Sequence, residues 1–156
     1  MQKNWKYTFV VLPVLAVSLL MLAGCGSHEI PPMDTATVQK ELSGKVWNLQ
    51  ALFSREIEDE EAPLTLEFLA DGTVKGFGGC NSFSGKYTLD GEELTFGPMM
   101  STKKSCGPAT DEQEYTFLTF LAQIKRLKIE EDELELYSDQ QAVPMLLTTG
   151  GGGLLW

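Results

Sequence analysis

Hydrophobic and polar residues alternate along most of the chain after residue 44, and this period of two is typical of strands with one buried face. Two early segments, near 46–53 and 64–68, show the pattern clearly. The side chains predicted to face inward there are Trp47, Leu49, Ala51, Phe53, Leu64, Leu66 and Phe68. Asp71-Gly72 then marks a hairpin turn, and a third strand over 73–78 runs into a glycine-rich bend.

The alternation continues beyond the bend. It predicts a strand over 84–89, a turn at Asp90-Gly91 and a strand over 93–96. A further hairpin is expected around Glu131-Asp132. A last strand over 143–148 would contain Pro144, which restricts it to a sheet edge or a bulge.

One segment has the period of a helix. It follows Cys106, with Thr110 as the predicted cap and Gln113 at the capping-box position. Its apolar stripe comprises Phe117, Leu118, Leu121 and Ile124, and Lys125 and Arg126 suit the negative end of a helix. The predicted fold is therefore mainly β (α+β): a curved antiparallel sheet or barrel-like wrap of about seven or eight strands with one α-helix.

The first 24 residues have the pattern of a secretory signal, with Lys3 and Lys6 before an apolar run over 7–22. A transmembrane anchor is the alternative, but this run is broken by Pro13 and short for a spanning helix. Its end, Leu22-Ala23-Gly24-Cys25, resembles the lipobox of bacterial lipoproteins. The resemblance implies a signal peptide over 1–24 and a lipidated Cys25.

We expect a flexible tether over 25–37 and a folded domain over 38–148. The tether contains two prolines and no apolar period. Gly26, rather than aspartate, follows the lipid cysteine, and by the same resemblance this favours the periplasmic side of the outer membrane if the cell is Gram-negative.

The formal net charge is −10, and it becomes −12 once Lys3 and Lys6 are removed. Nucleic-acid binding requires a basic surface, so the sequence excludes that class of partner. The charge also argues against a domain that lies flat on anionic lipid headgroups. The acidic stretch 55–61 lacks the ligand order of a calcium-binding loop, which favours a solvated loop over a cation site.

Cys80 and Cys106 remain as an even pair in an exported chain, and they predict a disulfide. No metal site or cofactor is expected. The single histidine, His28, lies in the tether, and two thiols alone make a poor zinc site.

The sequence predicts a non-enzyme, because no Ser-His-Asp or Cys-His set falls within the domain. Paired carboxylates, and with them a weak hydrolase, remain open. The bend over 76–87 holds Asn81, which either faces a ligand groove or closes the turn by bonding to nearby backbone. Lys103 and Lys104 predict an exposed loop that could meet an acidic partner.

Residues 149–156 form a Gly-rich C-terminal tail that ends in Leu154-Leu155-Trp156. Glycine runs are typical of flexible linkers. The tail is therefore either frayed or an apolar hook that docks on this domain or on a partner.

The order of motifs resembles the META domain, the HslJ-like family of bacterial envelope proteins, over about 42–147. Those motifs are Gly44-x-x-Trp47-x-Leu49, Asp71-Gly72, Gly78-Gly79-Cys80-Asn81-x-Phe83-x-Gly85-x-Tyr87, Gly91-x-x-Leu94, Thr102 and Cys106. The resemblance implies an antiparallel β fold with a helix and no known catalytic residues. It gives a structural role to Gly78, Gly79, Asn81, Phe83, Gly85 and Tyr87.

The same resemblance implies an association with envelope stress or antibiotic tolerance. We therefore expect a lipid-anchored, non-catalytic envelope module that acts through contacts with a protein partner. The alternative is a protein that binds a small apolar ligand on the concave face of the sheet.

Overall fold

The computed structural model describes residues 33–53, 55–56 and 63–150, with the backbone alone at 55–56. The signal peptide, Cys25, most of the predicted tether, the centre of the acidic loop and the tail from 151 onward lie outside these residues. Within the described ranges, no helix is both long and apolar enough to cross a membrane.

The described residues form two helices and ten strands. The helices are α1 (Thr35–Leu42) and α2 (Pro108–Leu121). The strands are β1 (Val46–Leu52), β2 (Arg55–Glu56), β3 (Leu64–Phe68), β4 (Thr73–Gly78), β5 (Ser82–Asp90), β6 (Glu93–Phe96), β7 (Met100–Ser101), β8 (Ile124–Glu130), β9 (Glu133–Ser138) and β10 (Met145–Thr148).

Eight of the strands close into an antiparallel barrel, which confirms the predicted fold class. Their order is β10-β9-β8-β6-β5-β4-β3-β1, and β10 also pairs with β1 to complete the cycle. The two-residue strands β2 and β7 pair with β1 and β5. Closure leaves the eight strands without long unpaired edges.

The inward-facing side chains fill the barrel. Trp47, Phe68 and Phe117 are its largest fully buried residues. The Trp47 indole Nε1 donates to the main-chain oxygen of Leu42 at 3.0 Å, so its one polar atom is satisfied inside the core. The predicted inward positions Leu64, Leu66 and Phe68 are all buried, and β3 to β6 and the β8–β9 hairpin lie where the alternation predicts them.

Strand register defines two ends of the barrel. In the β6–β8 pair, Glu93 lies opposite Arg126, and the Leu127 amide donates to the Glu92 carbonyl at 2.9 Å. The β5–β6 turn and the β8–β9 turn around 131–132 therefore lie at the same end. Thr35, the first residue of α1, contacts Gly91 in the β5–β6 turn. We therefore call this the α1 end. The opposite end carries the glycine bend and α2, and we call it the α2 end.

The helix α1 was not predicted from the sequence. The tether was expected to run to residue 37, but α1 begins at Thr35 and buries Val38 and Leu42 in the core. The Asp34 carboxylate starts it by accepting from the amides of Ala36 and Thr37, both at 3.1 Å. A helix of eight residues buries too few positions to show a clear period.

The prediction of which β1 side chains face the core is wrong for the second half of the strand. Leu52 is buried, whereas Ala51 and Phe53 are only partly buried. The register against β10 shifts between Leu49 and Ala51, and Phe53 has a positive φ of 59°. A bulge advances the strand by one residue and so moves the following side chains to the other face.

The predicted bounds of α2 are also wrong. Gly107 is the N-cap residue and Pro108 occupies the first turn, so Thr110 lies inside the helix. The helix ends at Leu121, and Lys125 and Arg126 belong to β8. Ile124 is buried as predicted, but it packs from a strand.

The sequence predicted that Pro144 restricts the last strand to a sheet edge or a bulge, and the structure shows that this strand is not an edge. The strand β10 begins one residue later, at Met145, and pairs with β9 on one side and β1 on the other. Because the proline lies just before the ladder, its missing amide hydrogen does not interrupt either pairing.

Candidate functional site

The bend between β4 and β5 brings a buried polar cluster to the α2 end. The Gly78 amide donates to the Asn81 carbonyl at 2.8 Å, which closes the turn. Gly79 has a φ of 96°, a backbone conformation that residues with a side chain rarely adopt. Asn81 is only 4% exposed.

Asn81 holds helix α2 through Glu114. Its backbone amide donates to Glu114 Oε2 at 2.7 Å, and its side-chain Nδ2 donates to Oε1 at 2.9 Å. Glu114 is 9% exposed, so this carboxylate is removed from water and both of its oxygens have partners inside the fold. Hydrogen bonds to a charged group are stronger than neutral ones, and they matter most where water is excluded.

The same asparagine holds the loop between β7 and α2. Its Oδ1 accepts from the Lys104 amide at 2.8 Å and from the Thr102 hydroxyl at 2.7 Å. Its Nδ2 also donates to the Lys104 carbonyl at 3.0 Å. All the polar atoms of Asn81 are thereby used within the described fold.

Gly78 leaves the space that Glu114 occupies. A Cβ at residue 78 would lie 2.7 Å from Glu114 Cγ and 2.8 Å from Oε2. A side chain there would displace the carboxylate from the asparagine. The glycine is thus needed for a close approach between β4 and α2.

The disulfide fixes the same region covalently. Cys80 and Cys106 are bonded with their Cα atoms 5.8 Å apart, and they join the bend to the residue before the N-cap of α2. Cys80 is buried and Cys106 is exposed. The Asp111 carboxylate accepts from the Ser105 hydroxyl and, at 2.9 Å, from the Cys106 amide. These hydrogen bonds, that from Ser105 above all, lower the pKa of Asp111.

The remaining motif residues follow β5 away from the cluster. Phe83 packs edge-on against Phe117 of α2, with ring centroids 5.9 Å apart. Gly85 lies in β5 opposite Val74. Tyr87 reaches the α1 end, where its hydroxyl donates to the Leu69 carbonyl at 2.7 Å and accepts from Gln39 Nε2 at 2.7 Å. The motif therefore spans the barrel and does not form one site.

The cluster is suited to hold a surface loop in a fixed shape. Residues 100–106 are all exposed, and Met100 is 73% exposed although it is a large apolar residue. Asn81 fixes the main chain of this loop from beneath. Within the described residues, no group of three or more His, Cys, Asp or Glu side chains is arranged to hold a metal ion.

The sequence did not identify Glu114 as the partner of Asn81. An acidic residue near the start of a helix ordinarily complements the positive end of the helix dipole. The helical spacing could nevertheless have predicted that Glu114 is buried. It precedes Phe117 by three residues and Leu121 by seven, and so lies on the buried stripe of the helix. No comparable pattern in the sequence predicts the hydrogen bonds between the Asn81 side chain and the backbone of Lys104.

Similar folds occur in solved structures. An NMR structure of a protein from Burkholderia xenovorans aligns with a TM-score of 0.61 at 22% identity, over 83% of this chain and 99% of that one. A crystal structure of a DUF4847-family protein from Bacteroides vulgatus aligns with a TM-score of 0.54 at 14% identity, over 74% of this chain and 99% of that one. At these identities the likeness shows the fold alone. The curated proteins contain no match to this chain.

The fold and the cluster define a small, closed antiparallel barrel that is joined to its second helix by one disulfide and by a buried asparagine–glutamate pair. Residues 40–149 match the META domain. The chain therefore belongs to the META domain family, as the order of its motifs predicted. That family is not known as a catalytic one.

Proposed function

We propose that this protein is a lipid-anchored, non-catalytic module of the cell envelope that supports tolerance of envelope stress or antibiotics by binding another envelope protein. The observation that carries the proposal is the exposed segment 100–106, which comprises β7 and the loop after it and which Asn81 holds through Thr102 and Lys104. Binding residues commonly lie on loops that a rigid scaffold positions. A loop that is ordered before binding loses less conformational entropy when a partner binds.

The composition of the loop favours a protein partner. Met100 offers apolar surface, and Lys103 and Lys104 offer two adjacent positive charges on a domain that is acidic overall. A partner surface with an apolar recess beside acidic groups would complement both. The buried cluster supports a non-catalytic role, because Asn81 and Glu114 direct their polar atoms to each other and to the loop backbone.

The lipid anchor is supported by the sequence at Leu22-Ala23-Gly24-Cys25. Acyl chains on Cys25 would place the barrel at a membrane, and the periplasmic face of the outer membrane is the proposed location. Cys25→Ser tests this. We expect the variant to lose its acyl chains and its membrane fraction, and unchanged membrane attachment would refute lipidation.

Crosslinking in intact cells tests the partner contact. A photoreactive residue at Lys103 should trap a partner of defined mass, whereas one at Thr88, on the outer face of β5, serves as the control. Monomer alone at both positions would refute the proposed contact surface.

Cells that lack the protein should become more sensitive to heat or to antibiotics that act on the envelope, and the wild-type gene should restore tolerance where Cys25→Ser does not.

The alternative of a small apolar ligand stays a prediction. The concave face that it would use carries the core side chains Trp47, Phe68 and Leu94, all fully buried. No second function is therefore proposed.

A further inference from the structure

We propose that the protein partner adds an extended, acidic segment of its own chain as a further strand along the outer edge of β7. This inference rests on the proposed function and deepens it, because it names the kind of partner surface that the segment 100–106 binds. It follows from the hydrogen bonds that β7 makes, from those that it leaves open, and from the charges beside them.

The strand β7 is paired on one side only. Its residues Met100 and Ser101 lie opposite Ser84 and Phe83 of β5. The strand β8 pairs with β6 near the start of β6 and does not extend to β7. Among the residues that the structure describes, no second strand lies against β7. The edge of β7 that faces away from β5 is therefore open.

The backbone of Ser101 points to this open edge. The amide of the next residue, Thr102, donates to the Ser82 carbonyl of β5 at 3.1 Å. Successive residues of an antiparallel strand direct their amide and carbonyl groups to alternate sides. The amide and carbonyl of Ser101 are thus directed away from β5, and the residue is exposed. One donor and one acceptor are available to an added strand, and main-chain bonds of this kind supply the affinity in strand addition.

The edge already has the shape of a strand before a partner binds. After β7, Asn81 accepts from the Thr102 hydroxyl at 2.7 Å and from the Lys104 amide at 2.8 Å. Before β7, the Gly97 amide donates to the Lys86 carbonyl of β5 at 2.8 Å. Because both flanks of the edge are held, only the added segment has to become ordered, which lowers the entropy that binding costs.

The side chains beside the edge determine the composition of the segment. Phe83 is buried, so the next residue, Ser84, and its partner Met100 lie on the outer face, where Met100 is 73% exposed. An apolar residue of the added strand, directly opposite Met100, would cover it. Lys103 and Lys104 are exposed and form no ion pair with the described residues. Acidic residues beyond the apolar one would complement these lysines.

The two lysines also exclude other segments. Short edge strands flanked by lysine commonly protect a protein against unwanted strand pairing. A basic segment would meet like charges at Lys103 and Lys104, and a second copy of this chain would bring the same two lysines to the edge. An acidic segment meets neither penalty. The edge therefore discriminates between partners by repulsion as well as by attraction.

A capped peptide of this chemistry tests the geometry. The probe, Glu-Glu-Val-Thr-Val-Glu-Glu, reads the same in both strand directions and is titrated into the isotope-labelled full chain in zwitterionic detergent. By NMR, we expect the largest amide shifts at Met100, Ser101 and Lys103, and slower hydrogen exchange of the Ser101 amide. The peptide with lysine in place of each glutamate should bind at least about tenfold more weakly. Absence of a shift at Ser101 at millimolar peptide would overturn strand addition.

N-methylated peptides separate main-chain pairing from contact through side chains. When the central threonine lies opposite Ser101, its amide points to β7, whereas the amide of either valine points away. Methylation of the threonine nitrogen keeps every side chain and should weaken binding by about tenfold. Methylation of a valine nitrogen is the matched control and should weaken it less. Equal losses would overturn the proposed pairing.

Ser101→Pro and Thr102→Pro test the same point in the protein. Proline is compatible with an edge position whose amide faces solvent, so Ser101→Pro should leave the melting temperature nearly unchanged and abolish the peptide shifts. Thr102→Pro removes the bond to Ser82 and should lower the melting temperature. Unfolding by Ser101→Pro would show that its amide is used within the fold and would overturn the open edge.

Charge substitutions test the acidic character of the partner. Lys103→Glu should weaken binding of the acidic peptide about fivefold. Lys40→Glu changes the net charge equally, but it lies on α1 at the opposite end of the barrel and should have little effect. Equal effects of the two variants would overturn the role given to Lys103.

Crosslinking in cells separates this inference from the proposed function. If a partner is trapped at Lys103 and Ser101→Pro leaves its yield unchanged, strand addition is overturned and the proposed contact stands. If the wild-type edge traps no partner, the proposed function is overturned, and the partner strand with it. A dimer of the full chain that Ser101→Pro dissociates would assign the edge to a second copy and overturn the acidic partner.

Discussion

Each end of the barrel is covered by a helix, but the two helices are attached by different chemistry. At the α1 end, the buried or half-buried hydrogen bonds join neutral groups, namely Gln39 to the Tyr87 hydroxyl and the Trp47 indole to the Leu42 carbonyl, and the bond from Thr35 to the Asp90 carboxylate is exposed. At the α2 end, a buried carboxylate bonds to Asn81, and a disulfide joins the bend to the start of the helix.

The two attachments respond differently when they are disturbed. At the α1 end, each lost hydrogen bond costs a modest amount, and exposure returns the neutral groups to water. At the α2 end, movement of the helix must break both hydrogen bonds from Asn81 to the Glu114 carboxylate, and the disulfide restrains the start of the helix. We therefore expect α1 to open locally at lower free energy than α2, which amide hydrogen exchange can measure residue by residue.

The largest effect should come from loss of the disulfide. Paired Cys80→Ala and Cys106→Ala substitutions, or reduction, should lower the free energy of unfolding by about 3 kcal/mol, because the bond closes a loop between residues 26 apart. Urea denaturation measures the loss. Amides of α2 should also exchange faster, while those of α1 should change little. An unchanged melting temperature after reduction would show that the bond does not hold the bend to the helix.

The second-largest loss of stability is expected on substitution of Asn81. Asn81→Ala should cost about 2 kcal/mol, because it removes one donor from the buried Glu114 carboxylate and frees the loop backbone. The Lys104 amide should lose protection from exchange. Thr88→Ala, which removes an exposed hydroxyl from β5, the strand that follows Asn81, is the control and should cost less than about 0.5 kcal/mol. Equal costs for the two variants would contradict the central role given to Asn81.

A smaller effect is expected at the α1 end. Gly91→Ala should cost about 1 kcal/mol, since Gly91 has a φ of 57°. A Cβ there would meet only the Met33 carbonyl at 3.5 Å, an ordinary contact, so the cost is one of backbone conformation. Gly97→Ala is the control, because Gly97 lacks a positive φ and has similar space. Thermal unfolding of the two variants gives the comparison, and a larger loss for Gly97→Ala would contradict it.

The smallest expected effect is on the pH dependence of the free energy of unfolding. Hydrogen bonds from Thr37, its hydroxyl above all, lower the pKa of Asp34 in the folded protein. The stabilisation is therefore present above the ordinary aspartate pKa of about 4 and is lost as the pH falls through the lower folded value. Asp34→Asn can still cap α1, so it should leave stability near pH 7 almost unchanged and remove this part of the acid dependence. Urea titrations at several pH values would detect the difference. An acid dependence equal to that of the wild type would refute it.

The local pattern predicted most of the strands. Leu64, Leu66 and Phe68 alternate cleanly because one face of β3 is buried and the other is not. Turns such as Asp71-Gly72 are set by neighbouring residues, as the bond from the Thr73 amide to Asp71 Oδ1 shows at 2.9 Å. Local chemistry of this kind can be read without knowing what lies across the fold.

Features that depend on distant neighbours were not predictable in the same way. The bulge in β1 reflects its register against β10, about a hundred residues later in the chain. Closure of the barrel requires β10 to pair on both sides, although Pro144 favoured an edge or a bulge. Glu114 resembles any acidic residue near a helix start until the fold brings Asn81 beneath it.

The family, most of the alternating strands and the pair of cysteines that joins the bend to α2 could all be predicted from the order of the residues. Only the folded chain shows that the strands close, that Asn81 and Glu114 meet, and that the chain enters and leaves the barrel at one end. The reason is physical: burial period and turn preference act between near neighbours. Barrel closure and buried polar pairing depend instead on groups that only the complete fold brings into contact.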